Sequence, residues 1–255
     1  MRMKSLVAAV AGLTAALASA SQAAEIQLVS SLGMKVMLGD LIPDFERATG
    51  HKVTIVYGAP GPMKARAEAE PVDLVVLPGS AIDDLIKSGK IVADSKVILA
   101  RSGMGVGVRA GAPKPDISTP EAFKRALLAA KSVSYSDPAI GSPSGAHVAK
   151  MLERLGIVEE MKAKSKLYSG PGYHTELVAK GEIEFSMAQI SEILPVQGAE
   201  LAGPLPGDLQ LTTVYQIGIG TGTKDQAAVK QFITFMKSPA AAAVIKAKGM
   251  EPAAP

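Results

Sequence analysis

The sequence predicts an α/β protein of two lobes, with a parallel sheet under helices in the first. Three observations carry that expectation. From Glu25 onward, short apolar runs alternate with helical stretches in the order β-α-β-α-β-α, which builds a parallel sheet covered by helices on both sides. Asp73 opens a continuous apolar run to Leu77, as a strand buried on both faces requires. A Gly-rich join, Arg101-Ser-Gly-Met-Gly-Val-Gly107, then leads into a second α/β segment, and the C-terminal helices are expected to return onto the first lobe.

Taken in order, Glu25–Val29 reads as a strand and Leu32–Thr49 as a helix with Leu38, Leu41, Ile42 and Phe45 on one face. Pro43 should kink or split that helix, and Gly50 should cap it. Strand Lys52–Tyr57, helix Pro62–Glu70 and the strand at Asp73 follow, then a helix Ile82–Ser88 ending at Gly89. Lys96–Leu99 and Gly105–Arg109 read as two separate strands. The second segment holds helices at Pro120–Ala130, Gly145–Leu155 and Tyr173–Lys180, with strands at Ser132–Tyr135 and Ile183–Ala188. An extended run, Leu211–Gly220, leads to helices at Lys224–Met236 and Pro239–Lys248. The boundaries expected are 25–101 with 218–255 for lobe I and 102–217 for lobe II.

Residues 1–24 have the layout of a cleaved secretory signal: a basic start with Arg2 and Lys4, an uncharged apolar run from Leu6 to Ala18, then small residues up to Ala23 and Ala24. The apolar run is short of the roughly 20 residues that span a bilayer. A periplasmic protein starting near Glu25 is therefore expected. Without Arg2 and Lys4 the chain carries 25 basic against 24 acidic residues, with no basic stripe, so nucleic acid is not an expected partner. The absence of Cys excludes disulfides and thiolate chemistry, and three scattered His offer no metal cluster. No metal or other cofactor is expected.

In an open parallel sheet, ligands bind beyond the carboxyl ends of strands, where helix N-terminal N–H groups favour an anion. Four loops have suitable chemistry. Ser30 and Ser31 either cap a helix or bind a ligand. Gly58-Ala-Pro-Gly61-Pro-Met63 is either turn chemistry or a place of close backbone approach, with Lys64 and Arg66 just inside the helix. Ser136 to Gly145 contains Ser142 and Ser144 and reads as an anion cradle, with Ser144 either a ligand donor or a helix cap, and His147, one turn on, faces the cleft or solvent. In Ser169-Gly-Pro171-Gly172-Tyr173-His174, the tyrosine either donates to a ligand or buries its ring. No Gly-x-Ser-x-Gly, His-Glu-x-x-His or Walker pattern is present.

These pieces resemble the periplasmic molybdate-binding proteins of ABC importers. The resemblance rests on Leu28-Val-Ser-Ser-Leu32, Asp44-Phe-Glu-Arg-Ala-Thr-Gly50, Val72-Asp-Leu-Val-Val76, the Asp137-Pro…Ser144-Gly145 loop and Phe232…Ser238-Pro-Ala-Ala-Ala. It implies a two-lobed type 2 periplasmic binding protein fold, with a mixed, mostly parallel sheet in each lobe and a ligand cleft between them. It also implies a monomer that captures a small oxyanion with uncharged donors and meets an ABC permease in the inner membrane. Carried over by position, Ser31 matches the first binding serine, Ser144 a loop donor, and Pro171-Gly172 a backbone contact. Two positions depart from the family pattern. Its second serine loop reads Gly58-Ala-Pro-Gly61 here, and its binding tyrosine falls at Gln189. Lost hydroxyl donors can change the ligand, and a carboxylate is a reasonable substitute. Aconitate isomerase, a periplasmic enzyme that moves an allylic proton on a tricarboxylate, resembles the same family. By that analogy His147, His174 and Tyr173 are candidate acid–base groups, with Lys64 and Arg66 as carboxylate clamps.

Overall fold

The computed structural model describes residues 23–253, so the expected signal peptide lies outside the described residues except for Ala23 and Ala24. The first α/β unit comprises β1 (Glu25–Ser31), a 3-10 turn (Leu32–Met34), α1 (Lys35–Thr49), β2 (Lys52–Gly58), α2 (Pro60–Ala69), β3 (Leu74–Pro78) and α3 (Gly79–Lys87). β1 runs parallel to both β2 and β3. Alternate residues of β3 face opposite ways. Leu74 and Val76 join a core with Phe45 and Phe232, while Val75 and Leu77 join another with Ile82 and Leu85. The unbroken apolar run is thus a strand with helices on both faces.

α1 passes through Pro43 as one helix, contrary to the expected kink or split. Gly39, whose carbonyl loses its usual N–H partner at Pro43, and Pro43 itself both lie on the exposed face. Water can solvate that carbonyl, while Met37, Leu38, Leu41, Ile42 and Phe45 hold the buried face in place. Gly50 ends the helix in the left-handed conformation (φ 77°), as expected.

The two strands expected around the Gly-rich join are one 13-residue strand, β4 (Val97–Arg109). Its first half pairs with β9 (Thr212–Ile219), and its second half with β7 (Phe185–Gln189) and β8 (Ala199–Pro204). The glycines mark crowding, not a turn. A Cβ on Gly105 would press on Leu201 and the Gly203 carbonyl, and one on Gly107 would strike the Ser186 hydroxyl.

The second unit adds α4 (Pro120–Ala129), β5 (Val133–Ser136), α5 (Pro143–Leu155), α6 (Val158–Lys162), β6 (Ser165–Tyr168), α7 (Thr175–Ala179) and α8 (Ile190–Ile193). Sequence periodicity did not reveal α6, β6, α8 or β8, because four to six residues are too few to show a period. β5 is parallel to β6 and β7, and Phe123, Leu127, Val133, Met151 and Met187 fill this unit's core. β9 returns antiparallel to β3. α9 (Gln226–Met236) and α10 (Pro239–Ala247) then pack Phe232, Met236 and Ile245 into the Phe45 core, and β10 (Glu251–Pro252) pairs with β4. The strand order β2-β1-β3-β9-β4-β7-β5-β6 is a mixed arrangement in which β4 serves both lobes.

Candidate functional site

The carboxyl ends of β1, β2, β3, β5 and β7 point at one cavity of about 50 Å³ between the lobes. Ser31 and Leu32 line it after β1, Ala59 and Pro60 after β2, Pro78 after β3, and Ser136 with Ser142 and Ser144 after β5. Gln189 and Glu192 close it from β7 and α8, and Thr213 and Tyr215 reach it from β9. The N-termini of α2, α3 and α5 converge there. Those of α2 and α3, like the 3-10 turn at Ser31, have no side-chain cap bond, which leaves backbone N–H dipoles aimed inward. Ser142 caps α5 by accepting the Gly145 N–H at 3.2 Å, and it pairs with the Ser144 hydroxyl at 3.0 Å.

Three buried polar atoms at this cavity have no hydrogen-bond partner among the described residues: Ser31 Oγ, His174 Nε2 and Gln189 Oε1. Buried polar atoms are normally paired, so their convergence marks a place built for a ligand. Each belongs to a group that can present a donor. His174 Nδ1 lies 3.1 Å from Ser134 Oγ, and Gln189 Nε2 donates to Thr213 Oγ1 at 2.7 Å. Both hydroxyls donate or accept, so the imidazole tautomer and the amide orientation can follow the ligand.

Among the described residues, no lysine or arginine lines the cavity. Burial pulls the His174 imidazole down to about 4, so it is neutral at pH 7. Desolvation pushes the Glu192 carboxyl up to about 7. Tyr173 and Tyr215 are raised chiefly by burial and further by the neighbouring Glu192 charge.

Of the residues singled out from sequence, Ser31, Ser142, Ser144, Gly172, His174 and Gln189 line the cavity together. Tyr173 spans the lobes instead, its hydroxyl donating to the Leu32 carbonyl at 3.2 Å. Pro171 holds its loop, its carbonyl accepting from Tyr168 Oη at 2.6 Å. Gly61 lies where the lobes touch, and a Cβ there would strike the Ile140 carbonyl. The others lie elsewhere. Ser30 is buried on its own strand, donating to the Ser31 carbonyl, and Met63 packs into the core beneath α2. Lys64 is paired with Glu68 and Asp84 at 3.5 and 3.3 Å, and Arg66 with Glu70 at 2.8 Å. His147 Nε2 lies 2.8 Å from the Leu209 carbonyl. Sequence reasoning missed Glu192, Tyr168, Thr213 and Tyr215 as lining residues. Tyr168 borders the Ser169–His174 loop and Glu192 follows Gln189 by three residues, but Thr213 and Tyr215 carry no local signal and arrive only through the return of β9.

A two-lobed fold with an anion-ready cleft at its strand ends defines a solute-binding protein. The profile of the bacterial extracellular solute-binding protein family matches residues 26–251, and the chain belongs to that family. Aconitate isomerase from a Pseudomonas species is 32% identical over 243 residues, 92% of this chain and 91% of that one. The molybdate-binding protein ModA of Azotobacter vinelandii is 29% identical over 239 residues, 91% and 92% of the two chains. The solved periplasmic molybdate-binding protein of A. vinelandii superposes with a TM-score of 0.75 at 23% identity, over 90% of this chain and 99% of that one. The fold is that of the type 2 periplasmic binding proteins.

Proposed function

We propose that this protein captures a small oxyanion or compact carboxylate in the periplasm and, as a monomer, delivers it to an ABC permease. One observation carries the reading: among the described residues, Ser31 Oγ, His174 Nε2 and Gln189 Oε1 are buried without partners around a single cavity that no lysine or arginine lines. Neutral donors and helix dipoles stabilise a compact anion without the desolvation cost of buried lysine or arginine. The size agrees. A space of about 50 Å³ accommodates a compact tetrahedral oxyanion. Ser31 and Gln189 supply side-chain donors, Ser142 and Ser144 the rim, and Gly172 a backbone contact. Closure of lobe 102–217 onto lobe 25–101 with 218–255 would shut water out.

A second reading has its own support. His174 is a neutral imidazole with a free Nε2 in the cleft, and aconitate isomerase is 32% identical. In an allylic isomerisation His174 would take the proton from one carbon and return it to the other, with Ser31 and Gln189 holding carboxylates. Lys64 and Arg66, paired on the surface of α2, do not serve as clamps in this reading.

The test is a thermal shift of residues 25–255 with molybdate, tungstate, sulfate, citrate and both aconitate isomers. A ligand at 100 times its Kd adds about 2.7 kcal/mol. Stabilisation by tetrahedral oxyanions supports capture. Stabilisation by tricarboxylates alone, with cis–trans interconversion followed by proton NMR, replaces it with the isomerase reading.

A further inference from the structure

The cleft contains one acid that oxyanion capture by neutral donors does not explain. Glu192 lies one helical turn after Gln189 and lines the same cavity. Its Oε1 reaches across to the 3-10 turn after β1, where it and Tyr215 Oη crowd the point that a Cβ on Gly33 would occupy. Among the described residues it has neither an ion-pair partner nor a hydrogen-bond partner within the protein. Its titratable neighbours are Tyr215 on β9, Tyr173 in the loop before α7, and His174 across the cavity. An ionised carboxylate beside a bound anion would repel it, with no cation to offset the pair. A protonated carboxyl in the same place is a donor.

We infer that Glu192 donates a hydrogen bond from its protonated carboxyl to the captured anion, so that anion and proton bind together. The inference rests on the anion-capture reading and makes Glu192 a specificity determinant of that site. The proton balance is simple. A proton from solvent joins the carboxylate as the anion enters and leaves with it, and no covalent bond is made or broken. Between about pH 6 and about pH 9 the neighbours keep a constant charge, because His174 titrates below this window and the tyrosines above it. Molybdate, tungstate and sulfate are fully ionised there too, so any pH dependence reports Glu192.

The experiment is titration calorimetry of the chain from Glu25 onward with each of these three anions, at several pH values and in buffers of differing ionisation heat. Above about pH 7 the Kd should rise tenfold per pH unit, with close to one proton taken up per anion. In Glu192→Gln, which keeps a donor without a titrating proton, both the slope and the uptake should vanish. Binding whose Kd and proton uptake are flat in the wild-type protein overturns the inference alone, as does a slope that survives in Glu192→Gln. No binding of any of the three anions at about pH 6 overturns oxyanion capture, and this inference with it. The wild-type uptake measurement stands even if the variant does not fold.

Discussion

Removing the Ser31 hydroxyl separates a binding role from a structural one. Ser31 is 2% exposed, it ends β1, and among the described residues its Oγ has no hydrogen-bond partner, the helix start it precedes included. Ser31→Ala therefore deletes no intramolecular hydrogen bond, and the backbone pairing of Ser31 with Gly58 is untouched. Unfolding free energy should stay within about 0.5–1 kcal/mol of wild type. Binding is different. A hydrogen bond to a charged ligand contributes about 1.5–3 kcal/mol, so affinity should fall about 10- to 150-fold. Urea denaturation without ligand and calorimetry with molybdate, or whichever anion of the panel binds most tightly, read the two quantities on one preparation. A Kd within twofold of wild type would refute the assignment of Ser31 to the ligand. A loss of about 2 kcal/mol in stability would show that its hydroxyl is structural after all.

Three further outcomes follow from the same geometry. Gly61→Ala sets a methyl group against the Ile140 carbonyl where the lobes meet. Closure should be opposed by about 1–3 kcal/mol, seen as weaker anion binding and a larger radius of gyration in solution scattering, with the melting temperature of the ligand-free protein nearly unchanged. Phe45 is fully buried edge-on to Phe232, with ring centroids 5.0 Å apart, so Phe45→Ala should cost about 3–5 kcal/mol in denaturant unfolding. Burial lowers the folded pKa of His174 to about 4, from 6.5 when unfolded. The unfolded chain therefore takes up a proton that the folded one refuses as pH falls through this window, and stability drops by up to about 1.4 kcal/mol per pH unit. Denaturation of His174→Gln across the window should lack that share of the pH dependence, and an identical profile would show that the ring is solvated.

Much of the site was legible because chemistry concentrates in loops with a local signature. Ser31, Ser142, Ser144 and Gly172 sit in Ser- or Gly-bearing loops at the carboxyl ends of strands, and the strand–helix alternation alone says that such loops share one edge of a sheet. His174 and His147 looked equivalent as sequence, each near a helix start. Only packing separates them. One ring is enclosed against Ser134 in the cleft, while the other meets the Leu209 carbonyl behind α5. Lys64 and Arg66 looked like anion clamps because they follow a ligand-type loop, yet both point to acids along α2 and α3.

The sequence by itself determined the α/β class, the alternation of strands and helices along the first unit, the Gly50 cap of α1 and the loops that carry polar donors. All of these depend on contacts between residues close along the chain and on the periods at which apolar side chains recur. The tertiary structure decided what depends on distant partners: that β4 is one strand shared by both lobes, that β9 brings Thr213 and Tyr215 to a cleft opened by β1, and that Glu192 lies against Gly33. No local pattern encodes these meetings. They arise because closing two cores onto a common strand leaves one place where the carboxyl ends of β1, β2, β3, β5 and β7 can meet.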